Sequence, residues 1–174
     1  MFRQIVFGLS AMLLSFSSLP SRFAAAQEAT IQDGIAGVWT LVSVVSQKED
    51  GSRGEPFGSN PKGIIMFSRD GHFSLFQSQA ELPRLAANDR ARATPEEALA
   101  VVRDSIAYYG TYTVDEAGKS LSVRLDGSTY ANLLGGPVQK RIITSLSATE
   151  LAFSNPRTPS GMTLDTVWRR SPPQ

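Results

Sequence analysis

Apolar and polar positions alternate in short runs along most of this chain. Gly37–Gln47 (GVWTLVSVVSQ) is rich in β-branched and aromatic residues and predicts a first strand. Ile64–Ser68 and Phe73–Gln79 predict two more, joined by Arg69-Asp70-Gly71, whose Asp-Gly pair suits a tight hairpin. The pattern returns in Tyr109–Val114, Ser120–Leu125, Val138–Leu146, Leu151–Ser154 and Thr163–Arg169. Asp115-Glu116-Ala117-Gly118 and Ser147–Glu150 read as turns, and the charged, glycine- and proline-bearing stretch Lys48–Lys62 as a loop. Between the third and fourth strands the period changes. Leu82–Arg92, rich in Ala and Leu, reads as helical, and Thr94-Pro95-Glu96-Glu97 is a helix start with Thr94 as N-cap, Pro95 at the first position and Glu97 completing a capping box. Ala98, Leu99, Val101, Val102, Ser105 and Ile106 then predict an amphipathic helix ending near Tyr108. Hairpin-spaced strands without βαβ alternation predict an all-β antiparallel meander. Eight strands is the number that closes a small barrel, here with a helical insertion between the third and fourth.

The N-terminus changes this picture. Met1–Ala26 carries a positive start at Arg3, an apolar core over Ile5–Phe16 and the small residues Ala24-Ala25-Ala26, the three parts of a secretory signal. The apolar core falls short of the roughly 20 residues a spanning helix needs. Cleavage after Ala26 predicts a leader over 27–36, a barrel domain over 37–170 and a frayed tail over 171–174, in a periplasmic or secreted protein. The chain holds 17 basic and 16 acidic residues. The signal removes Arg3 and Arg22 but no acid, so the mature domain is slightly negative. This balance, without a basic run, argues against a nucleic-acid partner. No later apolar segment reaches transmembrane length.

Composition also narrows the chemistry. The chain has no cysteine, which excludes disulfides, thiolate zinc sites, cysteine nucleophiles and a cysteine-anchored lipid. His72 is the single histidine, the one possible imidazole base. No phosphate loop, nucleophile elbow, zinc helix or calcium loop is present, and neither a cofactor nor a metal is implied. Glu96 and Glu97 are explained by the helix start.

Splitting each strand into its two faces identifies candidate cavity residues. Leu121, Val123 and Leu125 oppose Ser122, Arg124 and Asp126; Val138, Lys140 and Ile142 oppose Gln139, Arg141 and Ile143. Tyr108, Tyr112 and Val114 oppose Tyr109, Thr111 and Thr113. In a closed barrel, an inward set containing Gln139, Arg141, Tyr109 or Tyr112, and Arg124 would place a few hydrogen-bonding groups in an apolar cavity, the usual design of a small-molecule site; the alternative is that Arg124 and Arg141 face water, as strand arginines commonly do. Trp39, at the start of the first strand, reads either as a plug at one barrel end, on whose face a strand arginine could stack, or as a plain core residue.

The motifs, taken in order, resemble a known family. Gly37-x-Trp39-x-Leu41-Val42-Ser43 is followed by Asp50-Gly51, Pro56-Phe57-Gly58 and Asn60-Pro61-x-Gly63. Then come Phe67-Ser68-x-Asp70-Gly71-His72-Phe73-Ser74, Tyr108-Tyr109-Gly110-x-Tyr112-x-Val114, Asn132-Leu133-x-Gly135, Gln139-x-Arg141 and Trp168-Arg169-Arg170. This order resembles the bacterial and fungal lipocalin-like domain family, distinct from the true lipocalins. The resemblance implies a closed barrel with a central cavity and says little about activity. Two positions depart from the family pattern. Val123-Arg124 stands where histidines are frequent, which would favour an anionic group, and Asn132-Leu133 stands where Asn-Trp is frequent.

The leading expectation is an exported barrel that binds a small, partly hydrophobic or amphipathic molecule. Arg141 and Gln139 would hold its polar end, with Arg124 nearby, and Trp39, Phe73, Tyr109 and Tyr112 would line or close the cavity. One alternative is a cofactor-free isomerase or cyclase, with Tyr109, Tyr112 or His72 moving a proton and Arg124 or Arg141 stabilising negative charge. Another is an envelope protein that acts through its surface.

Overall fold

The computed structural model describes residues 30–156 and 158–172. The signal-like segment, the first leader residues and the last two residues of the tail lie outside the described residues. The strands are β1 (Gly37–Gln47), β2 (Arg53–Gly54), β3 (Lys62–Phe67), β4 (His72–Ser78), β5 (Ser105–Asp115), β6 (Ser120–Ser128), β7 (Gln139–Leu146), β8 (Glu150–Asn155) and β9 (Thr163–Arg170). All pairings are antiparallel, and β1 pairs with β9 to close the sheet on itself. β2 adds only a short rung on β1, Ser46 opposite Gly54 and Gln47 opposite Arg53. The barrel proper is therefore the eight-stranded meander that the alternation predicts.

The period of two decides which side chains fill it. Phe73, Leu75 and Gln77 of β4 point inward, as do Leu121 and Val123 of β6 and Arg141 and Ile143 of β7. In β1 a bulge between Leu41 and Ser43 resets the parity, so burial runs Trp39, Leu41, then Val44 and Ser46. A second bulge joins β5 to β6, where Tyr109 pairs with Gly127 but Gly110 with Leu125. A Cβ on Gly110 would lie 1.9 Å from the Arg124 carbonyl oxygen, so this backbone approach requires glycine.

The two barrel ends differ. One is closed by the short helix α1 (Ile31–Ile35), which lies within the expected leader. Thr30 caps α1, and the Glu116 carboxylate accepts the backbone N–H groups of Ile31 and Gln32 at 2.9 and 3.0 Å. Ile35 is fully buried in the barrel mouth, and Trp39 beneath it donates Nε1–H to the Ile35 carbonyl at 2.8 Å. The arginine stacked on Trp39 is Arg170 of β9, 4.0 Å from the ring centroid, a contact contributing about 0.5–2 kcal/mol. Its guanidinium also donates to the carbonyls of Gly34, Ala36 and Ala148. Trp168, stacked on Phe153, completes this densely filled end.

The other end carries the long connections. Helix α2 (Pro95–Asp104) begins with the expected capping box, Thr94 Oγ1 accepting from Glu97 N–H and the Glu97 carboxylate accepting from Thr94 N–H. It stops at Asp104 rather than near Tyr108, because Ser105–Tyr108 are extended and pair with β4. Its apolar side chains are not core: Leu99 and Val102 are 62% and 69% exposed. Leu82–Arg92 contains only a 3-10 turn, Arg90–Arg92. Pro83 lacks a backbone donor, and Asn88 adopts φ +48°, which a continuous helix does not permit.

Candidate functional site

At the loop-bearing end the barrel core gives way to a cavity of about 190 Å³. β4, β5, β7, β8 and β9 contribute Gln77, Ile106, Tyr108, Gln139, Arg141, Asn155 and Leu164, and the loops add Phe57, Tyr130, Leu133 and the Thr158–Ser160 turn. A stack of aromatic rings runs along the barrel axis below it. Tyr108 meets Phe73 edge-on at 6.1 Å, Phe73 stacks on Phe67 at 6.1 Å, and Phe67 meets Tyr112 edge-on at 5.1 Å.

The polar groups of the cavity follow from register. β7 pairs with β6 only over Gln139–Ile142, setting Arg141 opposite the fully buried Leu121 and Gln139 opposite Val123. Gln139 and Arg141 are therefore neighbours on the inward face. Arg141 is only 5% exposed. It donates Nη2–H to Gln139 Oε1 at 2.8 Å, with a long contact of 3.5 Å from Nη1 to its neighbour's carbonyl at Lys140. No carboxylate among the described residues pairs with it. Nor do the amides of Gln77 and Asn155 or the Tyr108 hydroxyl have a hydrogen-bond partner among the described residues, although no polar side-chain atom there is both sealed from solvent and unpartnered. Their polar atoms open on the cavity. A buried guanidinium without a counter-ion is costly, and it is tolerable here because the cavity admits a polar guest or water.

The residues singled out from sequence separate into four places. Gln139 and Arg141 line the cavity. Phe73 lies beneath it, in contact with Tyr108. Trp39 and Tyr112 belong to the closed end, where the Tyr112 hydroxyl donates to the Ser68 carbonyl at 2.7 Å. Tyr109 and Arg124 require correction: both project outward, Tyr109 with 57% exposure, because their neighbours Tyr108 and Gly110, and Val123 and Leu125, hold the inward positions. His72 is exposed on the β3–β4 hairpin with its Nδ1 3.3 Å from Asp70 Oδ1. The groups weighed for proton transfer thus do not converge: His72 and Tyr112 are at the closed end, and Tyr109 is outside.

Residues 36–170 match the model of the lipocalin-like domain family. The chain belongs to that family. Among solved structures, a lipocalin-like protein from Bacteroides uniformis is 17% identical, the match covering 79% of this chain and 99% of that one at a TM-score of 0.42. A DUF4847-family protein from Bacteroides vulgatus is 14% identical, covering 81% and 96% at a TM-score of 0.38. EF1p2_mFAP2b, solved bound to DFHBI, is 15% identical, covering 79% and 94% at a TM-score of 0.35. No curated protein matches the sequence.

In this lipocalin-like barrel, several cavity residues escape sequence reasoning. Gln77 shares the face of Phe73 and Leu75, so the alternation of β4 points to it directly. Tyr108, rather than Tyr109, is the cavity tyrosine of β5. Asn155 ends β8, and Phe57, Tyr130 and Leu133 come from loops whose approach to the barrel mouth leaves no local pattern. Outside the mouth, Arg90, Val101 and Val102 form a surface groove with Phe57, Ile106 and Tyr130, the three residues it shares with the cavity.

Proposed function

We propose that this lipocalin-like domain is an exported binding protein that holds a small, partly hydrophobic molecule in its open-end cavity. The reading rests on one observation above all: the cavity has apolar walls around a buried guanidinium that lacks a carboxylate partner among the described residues. Apolar walls supply affinity by releasing water, and a few fixed polar groups orient the guest. Arg141 and Gln139 hold the polar end, with Phe57, Ile106 and Leu164 around the body. The volume lies below the roughly 300–1,000 Å³ of drug-sized pockets, so the guest is small.

Three measurements test this reading. Native mass spectrometry of protein purified from its own host is expected to find a bound small molecule, and a metabolite and lipid panel to raise Tm by mass action. A protein that arrives empty and is stabilised by nothing in the panel overturns the binding role. N-terminal sequencing of the exported fraction is expected to start at Gln27; retention of Arg3 in the mature protein overturns export by cleavage.

A further inference from the structure

We infer that the cavity selects a small monocarboxylate, the carboxylate docking on Arg141 while Gln139 acts as a positioning residue for the guanidinium; this rests on the cavity-binding reading above. A guanidinium is a permanent cation, so burying one makes a constant demand for negative potential that water meets only in part. Protein acceptors take one of its donors firmly, through Gln139 Oε1 at 2.8 Å, and a second through the long contact to Lys140. The remaining donors of a planar fork match the two oxygens of a carboxylate.

Gln139 reaches Arg141 through its carbonyl oxygen, which restrains the guanidinium and leaves the Gln139 amide N–H groups to donate to the guest. Gln77, Asn155 and Tyr108 supply further hydrogen-bonding groups at the same cavity. Among the described residues Arg141 is the single cation in the lining, matching one negative charge. At interior packing density of roughly 0.74, about 190 Å³ takes a guest of about 140 Å³, a single substituted ring or a chain of about six to eight carbons.

Isothermal titration calorimetry on the purified protein tests the assignment with matched probes: benzoate against benzamide, hexanoate against hexanamide, and phenyl phosphate as the dianion. Each carboxylate is expected to bind about tenfold to a hundredfold tighter than its amide, the range of one charge-assisted contact. Arg141→Met is expected to abolish that preference. Gln139→Leu removes the amide donors and the restraint on the guanidinium together, so it is expected to weaken both members of each pair and also to reduce the carboxylate-to-amide ratio severalfold; an unchanged ratio in the folded variant overturns the positioning role. Gln139→Glu supplies an internal carboxylate to Arg141 and is expected to abolish the preference in a protein that folds as securely as the wild type. Equal affinity within each pair, or tighter binding of phenyl phosphate than of benzoate, overturns the monocarboxylate assignment and leaves the cavity reading standing. Folded protein that binds no member of any pair overturns both.

Discussion

Tyr112 and Tyr109 lie three positions apart on β5 and face opposite media. The Tyr112 ring packs on Phe67, its hydroxyl donates to the Ser68 carbonyl, and the Gln32 side-chain amide donates to that hydroxyl at 3.4 Å. Burial disfavours the phenolate, raising the Tyr112 pKa above its ordinary value of 10.0. The Gln32 hydrogen bond opposes that shift and the nearby Asp70 charge adds to it. A pKa raised by folding contributes stability that is complete below the unfolded value and is lost as pH rises through it toward the folded one. Tyr112→Phe is therefore expected to cost about 1 kcal/mol at neutral pH through the lost hydrogen bond. It is also expected to flatten the decline of stability above about pH 9–10, where an unfolded tyrosine ionises. Urea denaturation of both proteins across that range checks the sign; a steeper alkaline decline in the variant contradicts it.

Among the elements, irregularities matter more than regular strands. The β1 bulge turns Val44 inward, so the core-facing series Trp39, Leu41 and Val44 stays apolar across it. The β5–β6 bulge depends on Gly110, where any side chain meets the Arg124 carbonyl. Gly110→Ala is expected to destabilise the barrel by about 3 kcal/mol, measured by urea denaturation, because the clash is with backbone rather than a movable side chain. A loss below about 1 kcal/mol shows that the bulge can relax. The helices divide in the same way. α1 is held by Glu116 at its start and the buried Ile35 at its end, whereas α2 has its capping box but presents Leu99 and Val102 to solvent. Local capping signals were thus legible in both sequence and structure for α2, while its packing was not, because an apolar stripe does not say whether another surface is there to receive it.

Across the whole molecule, the barrel is filled at one end and hollow at the other. Trp39, Trp168, Ile35 and the aromatic stack carry the packing, and Arg141, the one buried arginine among the described residues, sits where packing stops. This arrangement sets stability against function at Arg141. Replacing an uncompensated buried charge by an apolar side chain of similar length removes its desolvation cost. Arg141→Met is expected to leave stability unchanged or raise it by about 1–2 kcal/mol in denaturant titration, even as it loses the preference for carboxylates. A loss of more than about 2 kcal/mol places Arg141 in the structural framework instead.

The amino-acid sequence alone specified the eight barrel strands, to within their ends, with their order and the Asp70-Gly71 hairpin, because the signals for these are local: side chains alternate every two residues, and short turns dictate antiparallel neighbours. It also paired Gln139 with Arg141, since two residues of one strand separated by one position share a face in any register. Tertiary structure decided what no local signal carries. It chose which face of β5 and β6 points inward, placing Tyr108 in the cavity and Tyr109 and Arg124 outside. It converted Ser105–Tyr108 from helix to strand, because hydrogen bonds to β4 outweigh a weak helical preference. It also closed one barrel end with α1, Trp39 and Arg170, leaving the other open around Arg141. Which end is filled depends on contacts between residues more than a hundred positions apart, and such contacts leave no period in the chain.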